Sequence, residues 1–140
     1  MHNLIASKEP IQKILITLYN HFKDTGRTPD YYDIIATGDL GKIGKKMTLE
    51  MLKEYGYDLS KNYVDCGDII FDNETQNTCS GGSGCGCSAV VMCGYFYKRL
   101  MKKEIKKLLL ISTGALMSPT STLQGESIPG IAHAVAIEYE

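Results

Sequence analysis

Helical and strand-like apolar patterns alternate along this chain, and that alternation limits its fold more than any single motif. Ile11, Ile14, Leu15, Leu18 and Phe22 recur at the spacing of one helix face. Ser7 is placed to cap that helix, Pro10 suits its first turn and Gly26 its end. Tyr31 to Ala36 reads as a short buried strand, ended by Thr37 and Gly38. A second helix is expected from about Gly41 to Tyr55, closed by Gly56 and carrying Met47, Leu49, Met51 and Leu52. Val64 to Phe71 reads as a short strand and Asp72 to Ser80 as polar loop. GGSGCGCSAVVMCGYFYKRLMKKE then takes a glycine-rich loop into a long helix with one apolar side. Lys107 to Ser112 reads as a buried strand, residues 114–130 as loop, and Ile131 to Glu138 as a final alternating strand. The pattern specifies an α/β protein: a mixed, mainly parallel sheet with helices packed on it. At 140 residues the chain suits one domain with a real core.

The totals remove some functions. A formal net charge of -1 gives no reason to expect nucleic acid. No apolar run approaches the roughly 20 residues of a membrane helix. MHNLIASKEP lacks the layout of a signal peptide, so an internal compartment with reduced thiols is expected. The odd set Cys66, Cys79, Cys85, Cys87 and Cys93 argues against a disulfide framework.

Gly81 to Ser88 is the segment richest in chemistry. Glycines let successive backbone N–H groups face one point, and a following helix start adds partial positive charge, which together suit a carboxylate or phosphate. Close packing of helix on strand asks for the same small residues. Nucleotide signatures fail: no G-K-[ST] follows, and Gly84-x-Gly86-x-x-Ala89 is preceded by polar loop rather than by a strand. No G-x-S-x-G elbow is present. Cys85-x-Cys87 has neither the spacing nor the second ligand pair of a zinc site, so no metal is expected. Cys87 and Cys93 read as small apolar filler, whereas Cys85 stands open between filler and a reactive thiol.

His133 shares its side of the last strand with Ile131, Val135 and Ile137, and reads as a core histidine. His2 and His21 read as surface residues. Asp39 follows a buried strand, where open α/β sheets place ligand residues; a helix cap is an equal reading. KRLMKKEIKK reads as the solvated end of a helix.

ATGDLGKIG, GGSGCGCSA, STGAL and SIPGIAHAVAIE, in that order, resemble the stage V sporulation protein AD family. More broadly, the features from Tyr31 onward resemble the C-terminal half of the thiolase and β-ketoacyl-ACP synthase superfamily. The resemblance implies a half-domain over residues 1–140, with the N-terminal half and the first strand of this half outside the chain. It places Gly38 where the synthases hold a catalytic histidine and Ser83 where they hold a second polar group, and it puts the nucleophilic cysteine in the other half. Oxyanion stabilisation and proton transfer need those groups.

The implied function is non-catalytic. The family is associated with moving dipicolinic acid into the developing spore, beside other stage V membrane proteins. A peripheral position on the cytoplasmic side of the forespore inner membrane is implied with it, and no cofactor. Asp39, Ser83, Gly84, Cys85 and Gly86 are the expected ligand-binding residues. The alternative is an acyltransferase or thiolase-like enzyme acting on a CoA or carrier-protein thioester. One half of a duplicated sheet leaves apolar faces bare, so self-association or a complementary thiolase-like half is expected.

Overall fold

The computed structural model describes residues 8–82, 84–115, 118–126 and 130–139. The first helix, α1 (Lys8–Thr25), buries Ile11, Ile14, Leu15, Leu18 and Phe22, the stripe set by the sequence spacing. Pro29–Tyr31 form a single 3₁₀ turn, which delays the first strand, β1, to Ile34–Thr37. Helix α2 spans Gly41–Glu54 and leads to β2 (Tyr63–Asp65). The segment expected to continue as strand instead turns into a short helix, α3 (Cys66–Ile69). The Asp65 side chain caps it by accepting the Gly67 N–H, and a capped turn stops a strand.

The long helix is divided. α4 (Cys87–Val91) runs into a wide π turn (Met92–Phe96) and then into α5 (Tyr97–Met101). Cys87, Val91, Phe96 and Leu100 are its buried side chains. Their spacing of four, five and four residues cannot stay on one side of a regular α-helix. The extra residue of the π turn brings Phe96 back to the core side. Strand β3 (Lys107–Ala115) runs three residues further than its apolar core suggests. Helix α6 (Pro119–Leu123) occupies part of the expected loop, and β4 (Gly130–Glu138) follows.

The four strands form one sheet in the order β2-β1-β3-β4, with β4 antiparallel to β3 and the other pairings parallel. This is the expected α/β architecture with a mixed, mainly parallel sheet. Alternate residues serve opposite faces. Ile35, Leu109 and Ile111 pack under α1 and α2, while Ile34, Ala36, Leu108 and Leu110 pack under α4 and α5. Hence Leu108 to Ile111 are all buried, as a strand covered on both faces requires.

Three expectations about individual side chains are corrected. His133 is exposed, because β4 is an edge strand whose Ile131, His133 and Val135 lie beyond the cover of α4 and α5. Cys93 is exposed: the π turn that brings Phe96 inward carries it outward. His21 is half-buried, with Nε2 2.7 Å from the Tyr32 hydroxyl. Ser7 and His2 lie outside the described residues.

Candidate functional site

A buried carboxylate organises the ends of β1 and β2. Asp65 is fully buried. Its two oxygens accept the N–H of Leu40 (3.1 and 3.0 Å), and Oδ1 also accepts those of Gly41 (2.8 Å) and Gly67 (3.0 Å). Thr37 Oγ1 donates to Oδ2 at 2.7 Å and lies 2.9 Å from the Tyr63 hydroxyl. Burial pushes the Asp65 carboxyl above the ordinary carboxylate range, against the pull of those donors toward the charged form. The same burial raises the Tyr63 phenol. One side chain thereby ties the start of α2 and the start of α3 to the end of the sheet.

The glycine segment is gripped by those same two helix starts. The Lys42 N–H donates to the Ser80 carbonyl and the Gly82 N–H to the Gly67 carbonyl, both at 2.7 Å. Gly41 (φ +65°) and Gly81 (φ +123°) adopt backbone conformations costly for other residues, and a Cβ on either would strike a carbonyl of the other segment. The glycines therefore serve close backbone packing here, the plainer of the two sequence readings. Gly84 is exposed.

Asp39 and Gly84 come together in one particular way: the Gly84 N–H donates to Asp39 Oδ2 at 3.1 Å. Asp39 thus holds the loop with a negative charge. Cys85 and Gly86 are exposed, and among the described residues their N–H groups donate to nothing. Ser83 lies outside the described residues. The Cys87 N–H closes a turn on the Gly84 carbonyl at 2.9 Å.

The neighbouring thiols divide by burial. Cys87 is buried and its thiol pushed up to about 11; Cys66, beneath it in the same core, is pushed up to about 12. Both are protonated packing groups at neutral pH, and Cys87 is the filler its sequence context suggested. Cys85, Cys79 and Cys93 are exposed. Among the described residues no group of three or more His, Cys, Asp or Glu is arranged to hold a metal. No described helix is long and apolar enough to cross a membrane.

Gly38 closes the last strand turn. A Cβ there would stand 2.7 Å from Thr113 Oγ1 and 3.0 Å from the Thr113 nitrogen on β3. A side chain at this position, a histidine included, would have to turn the Thr113 hydroxyl aside or shift the neighbouring strand slightly. Sequence reading passed over Asp65 and Thr113. The signal for Asp65 was present: an acid between a short strand and Cys66-Gly67 is an N-cap in the making. Thr113 carried no such mark, since its importance comes only from strand register.

Comparison with known proteins agrees with this arrangement of motifs. The family described as Stage V sporulation protein AD (SpoVAD) matches residues 12–138. The curated Stage V sporulation protein AD of Bacillus subtilis (strain 168) is 44% identical over 122 residues, covering 87% of this chain and 36% of that protein. The chain therefore spans about a third of the length of the curated relative it matches. With the match running from α1 to the end of β4, the chain belongs to the stage V sporulation protein AD family.

Proposed function

We propose that this chain is one half of a thiolase-like fold that forms one wall of a non-catalytic pocket for a small planar dianion, dipicolinic acid, during sporulation. It would act peripherally on the cytoplasmic side of the forespore inner membrane, beside other stage V membrane proteins. The observation that carries the non-catalytic reading is the contact at Gly38. The position where the resemblance calls for a histidine holds a glycine crowded by Thr113, so a histidine there would have to displace the Thr113 hydroxyl. The exposed backbone N–H groups of Cys85 and Gly86, which donate to none of the described residues, are the donors this wall offers to a carboxylate. Asp39 places a negative charge beside them, so a dianion needs counter-charge from outside the loop; we assign that to the complementary half.

Calorimetric titration of a protein carrying both halves with dipicolinate tests the reading. Saturable binding that weakens about tenfold or more on Ser83→Leu or Cys85→Leu is expected, the loss appropriate to blocking a donor in a small site. Titrations unchanged by either substitution would remove the loop from the site. Incubation with acetyl-CoA followed by intact mass tests the enzymatic alternative: a stable acyl adduct on Cys85 would overturn the non-catalytic assignment.

A further inference from the structure

The end of the long helix collects charge and exposed apolar side chains in a way the proposed pocket does not use. Residues 95–107 hold Lys98, Arg99, Lys102, Lys103, Lys106 and Lys107 against the single carboxylate of Glu104, a local charge of +5 in a chain whose total is -1. Asp33, whose carboxylate accepts the Lys106 and Lys107 N–H groups, and Glu138, opposite Lys107 on β4, lie beside the Lys106–Lys107 end, so the positive charge is concentrated at Lys98, Arg99, Lys102 and Lys103. Lys98, Lys102, Lys103 and Lys106 are exposed, and none is in an ion pair among the described residues. Arg99 alone is paired, with Nε 3.3 Å from Glu104.

Between these cations, Tyr95, Tyr97 and Met101 are 48, 53 and 61% exposed. Lys103 Nζ stands 5.0 Å above the ring of Tyr139, which extends the patch to the end of β4. An open trough of about 450 Å³ runs along Tyr95, Lys98, Arg99 and Lys102. It shares Gly94 and Tyr95 with an apolar trough of about 370 Å³ beside Ile69, Ile70 and Val90.

We infer that this patch, centred on Tyr97, Lys98, Met101 and Lys102, docks the chain on an anionic lipid bilayer. Lysines on long free stems suit a diffuse layer of negative headgroups; interfaces between proteins are depleted in lysine and favour the fixed fork of arginine. Tyrosine and methionine beside them match the apolar depth just under the headgroups, while lysine stems cover apolar surface and keep their ammonium groups in water. Clusters of four to eight basic residues on a partly apolar helix are the usual size for such docking. The inference gives a surface to the membrane-side placement proposed above and is independent of any anion in the glycine loop. A chain that takes up dipicolinate and ignores vesicles would sink the first and leave the second standing.

The test is cosedimentation of the chain with vesicles of phosphatidylglycerol and phosphatidylcholine, against vesicles of phosphatidylcholine alone. Binding to the anionic vesicles at low salt, and its loss at high salt, is expected. Lys98→Glu with Lys102→Glu should lower the partition by more than about tenfold, and Tyr97→Ser with Met101→Ser should weaken it as well. All four side chains are exposed, so thermal melting should be unchanged, which keeps a folding failure distinct from a docking failure. Absence of binding to the anionic vesicles, equal partition of the parent and both variants, or binding to polyglutamate without binding to vesicles would each overturn the assignment.

Discussion

Asp65 is the residue on which the site depends. Its carboxylate accepts from three backbone N–H groups and one hydroxyl, and the N–H groups of Gly41 and Gly67 are buried there. Asp65→Ala should therefore cost about 3 kcal/mol or more in urea unfolding, because removing one partner leaves the others desolvated. Amide exchange at Leu40, Gly41, Gly67 and Gly82 should quicken with it. A loss below about 1 kcal/mol would mean that water replaces the carboxylate and that the loop is held by its own contacts. At this scale the sequence was half legible. The glycine loop and Asp39 were visible as a group, since Gly-rich spacing and a polar residue after a strand are local signals. Their mutual role was not visible: Asp39 meets the Gly84 N–H across 45 positions of chain, and its place there depends on how two helix starts are anchored by a third residue.

Among the elements, those with strong periodicity were legible: α1, α2, β3 and β4 fall close to where their apolar spacing places them. The misread segments are those where a local hydrogen bond or a helix irregularity overrules periodicity, as the Asp65 cap does after β2 and the π turn does at Cys93. α1 also carries a titratable group of consequence. Burial, and then the charge of Arg27, lower the His21 imidazole below its ordinary 6.5, so the folded chain favours the neutral ring. Below that value the unfolded chain takes up the proton more readily. Stability contributed by the neutral ring is thus present above 6.5 and falls away as the pH drops toward the lower folded value. Melting temperature should accordingly decline on acidification from about pH 7.5 to about pH 5.5, and His21→Phe should flatten that decline. Parallel melting curves for the parent and variant would show that His21 ionises freely in the fold.

For the molecule as a whole, the unpartnered face of β4 is the dominant fact. Ile131 and Val135 are 52 and 53% exposed on an edge strand beside a covered core. Such a face is an invitation to pairing. Sedimentation of the chain by itself should show association that rises with concentration. Ile131→Lys with Val135→Lys should abolish it while leaving the unfolding free energy within about 0.5 kcal/mol, as expected for exposed positions. A monodisperse monomer at high concentration would count against the need for a cover.

The Gly38–Thr113 contact couples two positions far apart in the chain. A side chain at 38 must turn the Thr113 hydroxyl aside or part β1 from β3 slightly, so any change there is felt on the neighbouring strand. A smaller residue at 113 removes the closer of the two contacts. The two positions therefore change as a pair, and strand register rather than local sequence sets what position 38 accepts.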